Sequence, residues 1–462
     1  MPELASPEFR EQLAGGLIRR WSTPDDVEQI AALLGAVLRR SDDEMPSPRT
    51  MAGTRLLLDS DFPYMTAGDA AIVERRGGGE SSIVACVFYW RHTWSLAGIP
   101  FGVTRPEMVA TDPAFRRQGL VRALFEQIHA RGATEGHLLS AITGIPYFYR
   151  QFGYEYALDL DARRTAYFPL IPDLETGQAE SCSLRPAELA DVDQLKAMYD
   201  ASRGASLVWH EAPREHWVSE IRMWTDPRVL DADVRSHGAD SRYWMIETPD
   251  GEIAGSIRIA VRRRGTGLYV EELAFAPVAD VASIAPSLMR ALREIGSQTP
   301  AVRDDAGECR EIVLSLGTNH PLYGVVGDEI APKWNPPYAW LIRIPNMVAF
   351  LRHVRPALDA RLEGSAFARF SGSVEIDLYR EGLRIVIERG RVVEIEPWQA
   401  PIPEEDSTAM GCPPLTFVQL ALGYRSIEEL TAIFPDVWHS SDKGFLIDTL
   451  FPKLPSRVEQ LA

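Results

Sequence analysis

The chain is poor in the features that mark several common protein classes. Its 462 residues hold only four cysteines, Cys86, Cys182, Cys309 and Cys412, far apart and with no CxxC pair. They read as buried, reduced thiols of a cytoplasmic protein. No stretch approaches the roughly 18 uncharged residues of a membrane span. The N-terminal MPELASPEFREQL lacks the basic and apolar regions of a signal peptide. Nine histidines occur without HExxH or another paired spacing, so no metal is expected. There is no GxSxG elbow and no GxxxxGK(S/T) loop, which counts against hydrolase and P-loop chemistry. Low-complexity tracts and long linkers are missing too. Basic charge is also short: 48 Lys and Arg against 65 Asp and Glu leave a formal charge of −17. General nucleic-acid binding needs a basic face and is not expected. The acidity fits a cationic partner, and equally a protein acidic only for solubility.

What is present is a soluble globular composition, 45% apolar and 24% charged, at a length that suggests about three domains. Two stretches resemble each other. Ile18-Arg19 is followed by Asp26-Val27-Glu28-Gln29-Ile30, and Leu184-Arg185 by Asp191-Val192-Asp193-Gln194-Leu195. Both read as a strand, a polar turn and a helix with acidic residues near its start. Glu107 to Pro113 then matches Glu271 to Pro277, and each is followed by an Arg-Ala-Leu helix, Arg122–Leu124 and Arg290–Leu292. Two similar α/β domains in tandem explain this. After WNPPYAW (334–340) come a helical pattern (Met347 to Leu362), alternating strands (373–396), a loop (401–414) and a capping-box helix at Ser426-Ile427-Glu428-Glu429. That is a separate α+β domain.

Between proline and helix the first copy has Arg116-Arg117-Gln118-Gly119, where the second has Val278-Ala279-Asp280-Val281. Leu120, Leu124 and Ile128 form one buried stripe of the helix that follows. First-turn amides lack helical partners, Gly119 admits backbone close to a ligand, and two guanidinium groups suit phosphate. The stretch describes a diphosphate seat, or else a solvated basic turn. Further on, His137 to Ile142 reads as a strand buried on both faces. Gly144-Ile145-Pro146 breaks it, and a short helix ended by Gly153 presents Tyr149 on one face.

Here the sequence resembles a family. Val109-Ala110-Thr111 followed by Arg116-Arg117-Gln118-Gly119-Leu120-Val121 is similar to the acetyl-CoA motif (Arg/Gln)-x-x-Gly-x-(Gly/Ala) of GNAT N-acetyltransferases, with Val121 departing at the sixth position. Phe148 to Tyr154 resembles that family's fYxxxGF segment. The whole layout resembles the enhanced intracellular survival family: an active GNAT domain (1–165), a degenerate second one (166–335) and a sterol-carrier-protein-like α+β domain (336–462). The resemblance implies acetyl transfer to primary amines of aminoglycoside, polyamine or lysine type, through a ternary complex, by a cytoplasmic hexamer. A noncatalytic acyl-CoA or lipid-binding protein using the C-terminal domain is the alternative.

The resemblance also implies roles. Tyr149 protonates the departing thiolate, and the C-terminal carboxylate of Ala462 serves as base, with Glu107 as runner-up. Val109, Ala110 and Thr111 offer N–H groups to the thioester oxygen. Arg116, Arg117, Gln118, Gly119, Leu120, Val121 and Arg122 hold the pyrophosphate, and Gly144 and Ile145 line the pantetheine arm. Strand alternation puts Glu107 on the face of Val109 and Thr111. Acceptor contacts are expected from Arg40-Ser41-Asp42-Asp43-Glu44-Met45. Tyr89, Trp90 and Trp94 either wall that pocket or pack in the core.

Overall fold

The computed structural model describes residues 2–39, 45–59, 62–77, 80–204, 206–226, 241–399 and 408–459. Among them three sheets form. The first contains β1 (Arg10–Gln12), β2 (Leu17–Trp21), β3 (Ala70–Gly77), β4 (Glu80–Leu96), β5 (Ile99–Thr111), β6 (Leu139–Ile142), β7 (Glu155–Leu160), β10 (Val208–His210) and β16 (Tyr338–Arg343). Its order is β1-β2-β3-β4-β5-β6-β16-β7, with β10 added to β4. The second contains β8 (Arg163–Tyr167), β9 (Ser183–Pro186), β11 (Ser241–Glu247), β12 (Ile253–Ala260), β13 (Gly267–Phe275), β14 (Glu311–Leu314) and β15 (Lys333–Asn335). It runs β9-β11-β12-β13-β14-β8-β15. Each of these two sheets has one parallel pair near its middle, β5 with β6 and β13 with β14. The third, β19-β18-β17-β20-β21, is built from β17 (Gly372–Asp377), β18 (Gly382–Glu388), β19 (Arg391–Pro397), β20 (Met410–Gly411) and β21 (Trp438–His439).

The first sheet is covered on both faces. Leu120, Leu124 and Ile128 of the helix Leu120–Thr134 pack with Val73, Val87 and Tyr89 on one side. Ile30, Leu33 and Leu34 of the helix Val27–Val37 pack with Phe88 and Trp90 on the other. The third unit shares a core with the edge of this sheet, where Trp94, Phe101 and Trp340 meet Phe350, Ile376 and Phe417. Tyr89, Trp90 and Trp94 are therefore core residues. The expected 347–362 helix is divided at Val354 into Met347–His353 and Arg355–Glu363, with Pro356 opening the second piece. The Ser426 capping box forms, its Oγ accepting from Glu429 N at 3.1 Å.

The second sheet shares one polar network with the first. Arg20 pairs bidentately with the helix-cap Asp26 at 2.7 and 2.8 Å, and its Nε donates to Glu74 at 2.7 Å. Arg185 does the same with Asp191 at 2.7 and 2.8 Å and with Glu247 at 2.6 Å. Burial raises the Asp26 carboxyl, but the hydrogen bonds and charge of Arg20 together with the hydrogen bonds from Thr23 outweigh it and hold it below the usual range. These contacts correct the sequence register by one: the counterpart of Arg185 is Arg20, not Arg19. Arg and cap aspartate must stand six residues apart, and Arg19 instead reaches Glu11 at 2.6 Å.

One feature ties the two sheets together. The chain leaves the first sheet through Asp161-Ala162 and returns to it through Pro336-Pro337. The outgoing segment β7–β8 and the returning segment β15–β16 stay antiparallel partners across the gap. Lys333 faces Thr165 in one sheet and Trp340 faces Leu158 in the other, in a single register. Each sheet thus receives the strand beside its parallel pair from the opposite half of the chain, β16 beside β6 and β8 beside β14. The positions 165 and 335 lie within this exchange.

Candidate active site

A cleft opens where β5 and β6 part. The two strands pair only at Val103–Leu139 and Thr104–Ser140, while β5 runs on to Thr111. The backbone at Met108 is left-handed (φ 50°) and the ladder to β4 slips between Cys86 and Phe88. This bulge interrupts the strand alternation, so the expectation that Glu107 shares a face with Val109 and Thr111 does not hold on that ground. Val109 packs toward the helix Leu120–Thr134, and Met108 and Ala110 toward the opposite layer.

The arginine turn closes one wall. After a 3-10 turn at Pro113–Phe115, Arg117 (φ 65°) and Gly119 (φ 75°) are both left-handed. Alternation of left-handed and ordinary backbone of this kind is what anion-binding turns use. A Cβ at Gly119 would meet nothing within 4 Å, so the space in front of the helix start is open. Arg116, Arg117 and Gln118 are exposed there. Arg122 is committed differently from expectation: it donates to Gln151 at 2.9 Å and lies over the Phe152 ring at 5.3 Å. It fastens the helix to the tyrosine turn.

That turn is a single 3-10 element, Phe148–Phe152, ended by Gly153 in the left-handed region. Gly144 (φ 121°) precedes it, and a Cβ there would stand 3.7 Å from the Tyr149 ring. Ile145 is 62% exposed. The Tyr149 ring is buried to 4% exposure against Phe125 and Phe148. Its hydroxyl has no hydrogen-bond partner among the described residues. Burial, then the charge of Glu107, push its pKa up to about 12. Neither neighbouring tyrosine competes. Tyr147 is 72% exposed beneath Arg150, and the Tyr154 hydroxyl is bonded to Ser140 at 2.7 Å and His129 at 2.8 Å.

Glu107 accepts from the buried Arg105 at 2.7 Å, a pairing the sequence did not signal. Ala462 and Arg40–Glu44 lie outside the described residues. The tail before them runs between the units: Leu207 N donates to Pro455 O and Trp340 Nε1 to Val458 O at 3.0 Å. Arg105 lies over the same Trp340 ring at 5.1 Å. Among the described residues no cluster suits a metal, and no helix is long and apolar enough to cross a membrane.

The second sheet places different groups beside its own parallel pair. Its counterpart helix, Val281–Gln298, starts under Asp280, whose carboxylate accepts from Ala282 N and Ser283 N at 3.2 and 3.3 Å. A side-chain anion already sits where the first helix has only Gly119 and no side-chain cap. Across the parting strands, His320 Nε2 bonds Leu273 O at 3.0 Å. Aligning Pro146 with Pro321 puts Gly324 at the position of Tyr149.

The acetyltransferase (GNAT) domain family matches residues 18–157. No curated protein matches the chain. Among solved structures, a probable N-acyltransferase from Enterococcus faecalis is 15% identical, with 96% of this chain and 100% of that one covered and a TM-score of 0.63. A GCN5-related N-acetyltransferase from Anabaena variabilis is 11% identical over 96% and 99% of the two chains, TM-score 0.63. Eis1 from Mycobacterium abscessus is 15% identical over 96% and 98%, TM-score 0.55. Residues 18–157 therefore match an acetyltransferase (GNAT) domain, and the chain shares its overall fold with these solved N-acyltransferase and N-acetyltransferase structures.

Proposed function

We propose that the first-sheet cleft transfers an acetyl group from acetyl-CoA to a primary amine in a ternary complex. The observation that carries this is the contrast between the two helix starts: one left open above Gly119, the other capped by Asp280. The pyrophosphate seats on the amides of residues 117–122 with Arg116 and Arg117 beside it. The pantetheine arm runs past Gly144 and Ile145, between the parted strands. Backbone N–H groups of Val109 to Thr111 receive the thioester oxygen as it gains charge. The neutral amine attacks the carbonyl carbon, the C–S bond breaks, and Tyr149 gives its proton to the leaving sulfur. The amine proton goes to a base, for which the C-terminal carboxylate of Ala462 is our candidate; Val458, earlier in the same tail, accepts from Trp340. The second and third units are read as a degenerate GNAT copy and a sterol-carrier-like domain.

A noncatalytic lipid carrier is the competing reading. It draws on a surface cavity of about 480 Å³ in the third unit, lined by Ala366, Phe367, Phe445, Asp448 and Thr449. Lipid carriage predicts fatty-ligand binding that survives Arg117→Glu.

The deciding measurement is CoA release with a panel of polyamines, aminoglycosides and lysine peptides. Turnover with at least one amine is expected, and turnover with none ends the proposal. Removing residues 460–462 is expected to lower kcat; full activity would end the role given to Ala462. Gly119→Ala tests the seat. Alanine held near φ 75° costs about 1 kcal/mol, and its methyl occupies the open space. KM for acetyl-CoA should rise about tenfold with kcat nearly unchanged. An unaltered KM would move the pyrophosphate elsewhere.

A further inference from the structure

The anion seat has a neighbour to which the transfer step gives no role. Arg75, on β3, places its guanidinium carbon 5.7 Å from the centre of the Phe115 ring. Phe115 ends the 3-10 turn that runs directly into Arg116. Arg75 is exposed and makes no hydrogen bond or ion pair among the described residues. The carboxylate next to it is already taken, since Glu74 pairs with Arg10, Arg20 and Arg76. Arg117 has no partner among the described residues either, and Arg116 donates to Thr111 O at 3.4 Å. A chain of formal charge −17 thus gathers three guanidinium groups around one turn, and none has a carboxylate among the described residues. Like charges repel, and a bound anion offsets that cost.

The second sheet separates what the fold needs from what a ligand needs. Its Arg185, Asp191 and Glu247 stand for Arg20, Asp26 and Glu74, and in both sheets the hairpin ladder slips just before the glutamate. The residue after that glutamate is Arg75 in one copy and Thr248 in the other. Counting from Pro113 and Pro277, Phe115 corresponds to Ala279. The second copy therefore lacks the arginine, the ring beneath it and the open helix start together. Thr248 is a turn residue whose hydroxyl accepts from Glu252 N at 3.2 Å. A guanidinium that the hairpin itself required would be present in both copies. This one stands where the seat is.

Position gives the ligand. The order across the sheet is β6, β5, β4, β3, so Arg75 lies on the far side of the helix start from the strand gap. In coenzyme A the pantetheine arm leaves one end of the pyrophosphate and the adenosine ribose leaves the other. That ribose carries a 3′-phosphate, a monoester of charge about −1.5 to −2 near neutral pH. A planar, permanently charged fork suits it, and the Phe115 face holds the fork in place before the ligand arrives. We propose that Arg75, seated on Phe115, binds the 3′-phosphate of coenzyme A and makes the chain select CoA over its 3′-dephospho form. This rests on the acetyl-CoA seat proposed above and adds the residue that reads the nucleotide end.

Calorimetric titration of the full chain with CoA and with 3′-dephospho-CoA tests it without requiring turnover. Wild type should bind CoA about tenfold or more tightly than the dephospho form. Arg75→Gln should weaken CoA about tenfold and leave dephospho-CoA unchanged. Its melting temperature should match wild type, because the side chain is exposed. Arg75→Lys, which keeps the charge without the fork, should restore part of the preference. Arg117→Gln, at the pyrophosphate, should weaken both ligands alike. Equal affinity of wild type for the two ligands, or an equal loss on both in Arg75→Gln, overturns the assignment and leaves the seat standing. A wild type that binds neither ligand overturns the acetyl-CoA reading, and this assignment with it.

Discussion

Tyr149→Phe is expected to lower kcat by on the order of a hundredfold or more, with KM for acetyl-CoA nearly unchanged. The ring fills a buried slot against Phe125 and Phe148 that phenylalanine fills equally. Its hydroxyl has no protein partner among the described residues, so deleting it strands no donor or acceptor. Whatever is lost is the proton that the hydroxyl delivers. With the pKa pushed up to about 12 by burial and Glu107, that proton is held through the neutral and mildly alkaline range. The wild-type kcat/KM profile should therefore rise as the amine deprotonates and show no falling limb below about pH 11. Turnover in Tyr149→Phe equal to wild type would remove Tyr149 as the acid.

Glu272→Gln should stabilise the protein by roughly 3 kcal/mol at pH 8 and change little at pH 4. Glu272 is 5% exposed, sits opposite Arg258 in the β12–β13 ladder, and accepts from the Tyr243 hydroxyl at 3.1 Å. Burial first, then the nearby Glu459, raise its pKa from 4.5 to about 7. A carboxyl raised on folding leaves stability intact below about pH 4.5. Stability is then lost as pH climbs toward 7, because the unfolded chain releases the proton first. Glutamine keeps an acceptor for Tyr243 and has no such loss. Urea unfolding at the two pH values measures it; equal midpoint shifts at pH 4 and pH 8 would contradict the burial of an ionising group there.

Sequence alone made the local parts legible. The stripe Leu120–Leu124–Ile128, the glycine at the helix start, Gly153 ending the tyrosine turn and the Ser426 box each depend on neighbours within about one helical turn. The rest depends on backbone geometry that residue type does not announce, or on pairs far apart in the chain. Arg20 and Glu74 show which arginine belongs to the repeat. The Arg105–Glu107 pair stands on a strand whose bulge at Met108 no residue type announces. Asp280 reads as one more acidic residue until its carboxylate is seen under the helix amides that Gly119 leaves open.

The ribbon that joins the two sheets bears on how the protein is made. A ribosome completes residues 18–157, the entire span of the acetyltransferase domain, long before it reaches Tyr338. Until β16 emerges, β6 and β7 have no strand between them, and the sheet that carries the cleft has a vacant lane. β8 is in the reverse position, made early and waiting for β14 and β15. Folding of the first half is thereby held open until the second half has been synthesised, the slow, long-range closure that exposes strand edges to other chains. A polypeptide broken off near residue 330 contains the anion seat and the acid assigned to the cleft, and has neither the candidate base nor the strand that finishes its sheet.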